Sequence, residues 1–416
     1  MALHNPAVHP AAPMPAQTAV ASGRWSVALH HGPEAIDALA ADWGDLLKRV
    51  PGASAFATPG WARAWWRTYG RHHRAVLLEV RAGGRMVGLL PLQVSHIRGA
   101  GVRVLELLGG SPPDWRIWLR NPYGLGLKFI NELLVEPGHE EGVLAAVRDT
   151  LRSGELRWDT MRLTCVPEEN ALARGFDGVA RGWSPRRTPF TRLRIDTNRT
   201  WEEYKATLSK RQRRHVRYRP NELSRAAGGE LSLDVVRGRD ALAAVEEFVD
   251  LFERRWTARG KPGLLSGEAD LCRHLAEDEP SIAVWRLLGG DRVLASQIGF
   301  DDGRRYTPYN YAFDPQFSVE SPSHLLTHFI IKQCCDDAHT GIEQITVAMG
   351  SQWTGDELVS HTLEATRPTA LSRTRAGALH AVNGTVAGVQ SNAVGRRVRA
   401  SLASAAARVR RSRRED

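Results

Sequence analysis

Apolar and polar positions alternate from Arg24 to His30, as on a half-buried strand, and then recur at helical spacing from Glu34 to Val50. Thr58, Pro59 and Gly60 open a second helix through Trp61, Trp65, Trp66 and Tyr69, with Thr as N-cap and Pro in the first turn. Two strand-like runs, Ala75 to Arg81 and Met86 to Val94, flank Ala82-Gly83-Gly84-Arg85, which supplies a hairpin turn. Val102 to Leu108 predicts a further strand, Glu140 to Arg152 a helix and Arg157 to Thr164 a strand.

The second half repeats this order. Phe190 to Ile195 is a strand, and Thr200 caps a helix whose body is basic and which must break or kink near Pro220. Glu230 to Val236 is a strand, and Ala241 to Arg259 a long helix with Val245, Phe248, Val249 and Phe252 on one face. Strands Ser281 to Leu288 and Arg292 to Phe300 surround Gly289-Gly290-Asp291, the same hairpin displaced by 206 residues. Arg304 to Phe313 is a strand, Ser321 to about His339 a helix and Ile342 to Met349 a last strand. The middle strands are joined by turns too short for a parallel crossover. The order therefore predicts an α/β (α+β) protein of two similar domains with mixed, mostly antiparallel sheets. The expected divisions are a leader at 1–23, domains at 24–189 and 190–370, and a tail at 371–416.

Composition narrows the compartment and the cofactor. The four cysteines, Cys165, Cys272, Cys334 and Cys335, form no CxxC pair, and no His lies at zinc-ligand spacing, so neither a disulfide framework nor a bound metal is expected. His30-His31 and His72-His73 are adjacent in sequence and point apart. The Ala- and Pro-rich leader lacks a charged n-region and an apolar h-region, and apolar runs such as Met86 to Leu92 fall far short of the roughly 20 residues that cross a bilayer. A cytoplasmic protein with a disordered leader is expected.

The charge of +10 is unevenly placed. Leu371 to the end holds ten Arg and two acids, a net +8 in 46 residues, without aromatic residues to stack bases. This tail reads either as solvated or as a basic helix making peripheral contact with an anionic membrane. Lys205, Lys210, Arg211, Arg213, Arg214, Arg217 and Arg219 fall within 15 residues, either a solvated surface or one that meets a phosphate-rich ligand. Ser321-Pro322 starts a helix with Ser323 and His324 in its first turn and no acid there. Its N–H groups and dipole thus suit an external anion such as a pyrophosphate, although Ser-Pro also serves as a plain cap.

Several of these pieces resemble the CelD/BcsL-type acyltransferases, a family of tandem GNAT (Gcn5-related N-acetyltransferase) domains related to the FemABX peptidyltransferases. They are Phe56, Thr58, Pro59, Trp61 and Trp65; the basic helix Lys210 to Arg219; Arg255-Trp256 with Gly260 and Gly263; Ala295-Ser296-Gln297; Tyr309, Tyr311 and Phe313-Asp314-Pro315; and Ser321-Pro322 with Leu325-Leu326. Three departures stand out. Phe252-Glu253 replaces a family His, Ser323 replaces a Gly, and no Tyr-Lys follows Met349.

The resemblance implies acyl-CoA, acetyl-CoA first, as co-substrate, with direct attack of an amine on the thioester and no metal. The strand Leu294 to Phe300, with Gln297 and Ile298, would lie beside the thioester; Ser321, Ser323, His324 and Leu325 would hold the pyrophosphate. Tyr309 or Tyr311 would protonate the thiolate, and Asp314, then His324 and Glu253, would serve as base. Arg214, Arg255 and Trp256 would face the acceptor. Each has a plain alternative: Asp314 before Pro315 also forms turns, Tyr309 and Tyr311 also pack, and Gln297 also suits a satisfied core position. The acceptor is expected to be an amine on a small molecule or saccharide, in polysaccharide or secondary-metabolite biosynthesis. Two rivals are a FemABX-like enzyme using aminoacyl-tRNA and a non-catalytic scaffold in envelope polysaccharide assembly.

Overall fold

A computed structural model describes residues 25–97, 101–110, 130–258, 267–337, 342, 344–347 and 353–377. The leader, most of the basic tail and Met349 to Gln352 lie outside these residues, as do Gly260 and Gly263. The first repeat runs β1 (Trp25–His31), α1 (Glu34–Ala38), α2 (Ala40–Arg49), α3 (Pro59–Tyr69), β2 (His73–Ala82), β3 (Arg85–Ile97), β4 (Val102–Leu107), β5 (Leu134–Val135), α4 (Glu140–Ser153), β6 (Thr160–Pro167) and α5 (Ala171–Val179). After β7 (Arg186–Asp196) come α6 (Trp201–Thr207) and α7 (Lys210–Ala227). The second repeat is β8 (Leu231–Arg237), α8 (Leu242–Thr257), α9 (Glu268–Asp278), β9 (Ile282–Gly289), β10 (Arg292–Asp301), β11 (Arg305–Phe313), α10 (Pro322–Asp336) and β12 (Gln344–Val347), and β13 (Asp356–Thr366) closes the order.

Both repeats enter one continuous sheet, in the order β1-β2-β3-β4-β6-β13-β7-β12-β11-β10-β9-β8, with β5 on β3. Among the described strands only β4 with β6 and β11 with β12 pair in parallel, and each of those pairs is bridged by a helix, α4 or α10. The repeats do not keep separate sheets because β13 inserts between β6 and β7, bonding to both along most of its length. The expected division at 189/190 falls inside β7.

Local chemistry explains most elements. Thr58 accepts from the N–H of Trp61 and Pro59 occupies the first turn of α3. Gly83 and Gly84 in the first hairpin, and Gly290 in the second, have positive φ (57°, 80° and 60°), which a side chain would oppose. Two predicted helices are divided. The run from Glu34 breaks at Leu39. The basic helix breaks at Leu208-Ser209, not at Pro220, because Ser209 and Gln212 form a second capping box after the one made by Thr200 and Glu203. Pro220 lies within α7.

Three cores result. Helices α1 to α3 and α8 to α9 cover one face of the sheet as a single layer, so that Trp43, Phe56, Trp61 and Trp65 share a core with Phe248, Phe252, Ile298, Phe300 and Tyr309. On the opposite face α4 and α5 cover the first repeat, while α6, α7 and α10 cover the second. The seam is tight. A Cβ on Gly60 of α3 would lie 2.4 Å from the carbonyl oxygen of Asp278 at the end of α9, and buried Glu279 bonds both Thr58 and Ser281. Burial pushes the Glu279 carboxyl above its ordinary pKa.

Candidate functional site

In each repeat the parallel pair is short. β11 and β12 pair at Arg305↔Gln344 and Tyr306↔Ile345, after which Thr346 and Val347 continue along β7 while β11 turns away. The turn is a bulge: Ile298 faces Asn310 and Gly299 faces Pro308, leaving Tyr309 as the extra residue. Beyond it Tyr311 directs both main-chain groups away from β10, its N–H to Asn310 Oδ1 (2.8 Å) and its carbonyl to an Arg255 guanidinium N–H (3.1 Å). A wedge thus opens between β11 and β12, with α10 starting nine residues after the end of β11. The corresponding wedge between β4 and β6 is filled. Buried Asn131 bonds the carbonyls of Cys165 and Thr164, and the Thr164 hydroxyl bonds Gly110.

The structure divides the predicted site residues. Tyr311 is 43% exposed with Arg255 stacked on it (4.9 Å), and Arg255 is also held against Phe313 (4.6 Å) and Trp256 (5.3 Å). Arg255 and Tyr311 therefore meet at the wedge, and Trp256 lies next to Arg255 on α8. Tyr309 does not join them; it is buried in the seam against Phe56, Trp61 and Phe300, and burial raises its pKa well above the ordinary phenol value. The strand beside the wedge is β11 and not β10, whose two edges are taken by β9 and β11. Gln297 is a satisfied core amide, donating to Thr327 (3.0 Å) and accepting from Tyr306 (3.2 Å), and Ile298 and Leu325 are core side chains.

Asp314, the first choice for a base, is buried with both oxygens engaged. Oδ1 accepts from the N–H of Gln316, and Oδ2 meets Arg292 (2.5 Å) and Arg254 (3.6 Å). It is a turn former locked by ion pairs. Glu253 faces solvent on α8, remote in direction from the buried face of that helix. A carboxylate missed by the sequence reading lies beside the bulge: buried Glu268 at the start of α9 accepts from Asn310 Nδ2 (2.9 Å). Asp314→Asn is expected to lower stability by about 1–2 kcal/mol while leaving the transfer rate within about threefold. A hundredfold loss of rate in a folded variant would restore Asp314 as the base.

At α10, Ser321 occupies the capping position without capping. Its backbone is left-handed (φ 58°, ψ 53°) because a 3-10 turn over Pro315–Glu320 delivers the chain in reverse, and its carbonyl accepts from the N–H groups of His324 and Leu325. Ser323 is buried, and Thr327 donates to its carbonyl (3.3 Å). His324 is half-buried and meets His215 of α7, which in turn meets His328, one turn further along α10; the sequence reading singled out neither of these two. The spacing of His324 and His328 was a visible signal; nothing in the sequence pointed to His215. Arg214 is exposed on α7, as are Lys210, Arg211 and Arg217, and none of these four makes an ion pair among the described residues.

All three imidazoles have lowered pKa values. Burial is the main cause for each; His324, Arg219 and Arg211 add to it at His215, and His215 and His324 at His328. His328 falls to about 3. Its unfolded value of 6.5 is higher, so the unfolded chain binds the extra proton and stability falls as pH drops through the window from about 6.5 to 3. One such proton steepens the loss by about 1.4 kcal/mol per pH unit. Denaturant titrations at pH 7, 6 and 5 should show this slope, and His328→Phe should flatten it.

Among the described residues, no group of three or more His, Cys, Asp or Glu is arranged to hold a metal ion, and no helix is long and apolar enough to cross a membrane.

Residues 210–350, about a third of the chain, match the acetyltransferase (GNAT) domain family. The match begins at α7 and ends just past β12, so it contains the wedge, the bulge and the start of α10. No curated protein matches the sequence at a significant level. Among solved structures, FemX is similar over 81% of this chain and 96% of its own, at 10% identity and a TM-score of 0.50. The C-terminal domain of a putative lysylphosphatidylglycerol synthetase from Agrobacterium fabrum aligns over 83% of this chain and 96% of its own, at 10% identity and a TM-score of 0.48. A tandem GNAT protein from the clavulanic acid biosynthesis pathway aligns over 82% and 99%, at 12% identity and a TM-score of 0.42. Residues 210–350 thus form a GNAT domain, within an α/β chain whose first half follows a similar order of elements.

Proposed function

We propose that the protein is an acyl-CoA-dependent N-acyltransferase of the CelD/BcsL type, with its donor in the wedge between β11 and β12. The divergence of the two parallel strands immediately before the bulge at Tyr309 carries this reading, because it leaves main chain beside a gap where an extended thioester arm can lie. We assign the thioester oxygen to the N–H of Tyr311, which gives up its bond to Asn310 Oδ1 when the donor enters and then faces the developing negative charge. The Tyr311 hydroxyl protonates the departing thiolate, and Glu268 takes the ammonium proton of the acceptor. Arg255 and Trp256 hold one wall of the acceptor side, and the acceptor is an amine on a small molecule or saccharide. Ser323, His324 and the start of α10 receive the pyrophosphate.

Thermal unfolding with CoA, acetyl-CoA and longer acyl-CoAs tests the donor. A ligand at 100 times its Kd stabilises the native state by about 2.7 kcal/mol. A shift that varies with acyl length, joined by thiol release when an amine is added, is the expected result; no shift with any CoA species would remove the reading. The exposed cations Lys210, Arg211, Arg214 and Arg217 favour one second reading, an aminoacyl-tRNA donor. RNA binding would then weaken steeply with salt. Peripheral membrane contact by the Arg-rich tail is a separate proposal.

A further inference from the structure

His215, His324 and His328 come together from two helices, and of the three only His324 has a part in the donor reading. The ring of His215 lies 6.1 Å from that of His324 and 6.2 Å from that of His328, and Trp353, following β12, closes over both α10 histidines at 6.1 and 5.1 Å. Trp201 of α6 backs His328 at 6.5 Å. Nδ1 of His328 is buried and has no hydrogen-bond partner among the described residues. The charged groups acting on His215 from α7 are Arg211, Arg219 and Glu222, of which Glu222 is engaged by Arg219 (2.8 Å). From α10 the titratable neighbours are His324 and His328, and α6 and the segment after β12 contribute the two tryptophans. The surroundings are thus apolar on one side and net positive on the other, beside the positive end of the α10 dipole.

We propose that the cluster is a proton-coupled anion site: a phosphodiester or diphosphate group entering between α7 and the first turn of α10 is met by His215 and His324, which together take up about one proton as it binds. Without an anion, burial and the nearby arginines keep the imidazoles neutral; the arriving negative charge reverses that balance. Affinity then rises as pH falls, by about tenfold per pH unit for one proton. This rests on the reading that the donor carries phosphate, and the same chemistry is offered by the diphosphate of a CoA donor or by the backbone of a tRNA.

Isothermal titration of the full chain with dephospho-CoA and, separately, with deacylated tRNA tests the proposal, since the phosphodiester and diphosphate groups of these probes do not titrate near neutrality. Each is measured at pH 7.5 and 6.5 in two buffers of different ionisation enthalpy, which counts protons directly. Expected are about one proton taken up per dephospho-CoA and roughly tenfold tighter binding at pH 6.5. Both effects should be lost in the His215→Gln/His324→Gln double variant, which spares buried His328. Binding of dephospho-CoA without proton uptake overturns the proposal and leaves the acyl-CoA reading standing. Proton-coupled binding of tRNA alone keeps the proposal and overturns the acyl-CoA reading. No binding of either probe, or uptake unchanged in the double variant, overturns the proposal.

Discussion

Replacing His324 with glutamate should leave the fold intact and nearly abolish donor binding. An acid in the first turn of a helix favours the dipole by roughly 0.3–1 kcal/mol, so α10, which has no acid there, should melt no earlier than in the unmodified protein. The same charge about 6 Å from a diphosphate costs about 3 kcal/mol per charge pair at an effective dielectric near 20, or about a hundredfold in affinity. Stability and binding thus move in opposite directions, which simple misfolding cannot produce. Unchanged acyl-CoA affinity in this variant would remove the start of α10 from the donor site.

The second large effect is on the seam. Trp61 of α3 is fully buried, with its ring 5.6 Å from Phe300 and 5.8 Å from Tyr309, both of the second repeat. Trp61→Ala removes a large side chain where the surrounding helices cannot easily collapse, and should cost about 3–5 kcal/mol in chemical denaturation. Because Tyr309 is the bulged residue that bends β11 away from β12, the variant should also lose transfer activity at temperatures where it remains folded. A loss of stability with full activity would mean that the bulge holds its shape without the first repeat.

These two sites differ in how far the sequence disclosed them. Trp61 was legible: the Thr-Pro start of α3 and the tryptophans at helical spacing specify a buried face, and both hairpin turns were marked by Gly-Gly. The single sheet was not legible, since the antiparallel partners of β13 are set by tertiary pairing rather than by local pattern. Nor was the bulge, which adds one residue to β11 and thereby moves Tyr309 to the face opposite Tyr311. At Asp314 the sequence leaves two readings open, since an aspartate before proline at a strand end suits a base or a turn equally well, and the ion pairs to Arg292 and Arg254, which the local motif does not announce, favour the turn. Glu268 and His215 carry no local signature at all; their neighbours Asn310 and His324 are supplied by other elements.

Backbone hydrogen exchange with and without acetyl-CoA tests the central claim most directly, because it reports where along the chain a donor sits. If the wedge holds the donor, exchange should slow over Tyr309 to Phe313 and at Ser323 and His324, while β4 and β6, whose wedge is filled by Asn131, remain unchanged. Protection confined to the first repeat, or none anywhere at saturating acetyl-CoA, would contradict it.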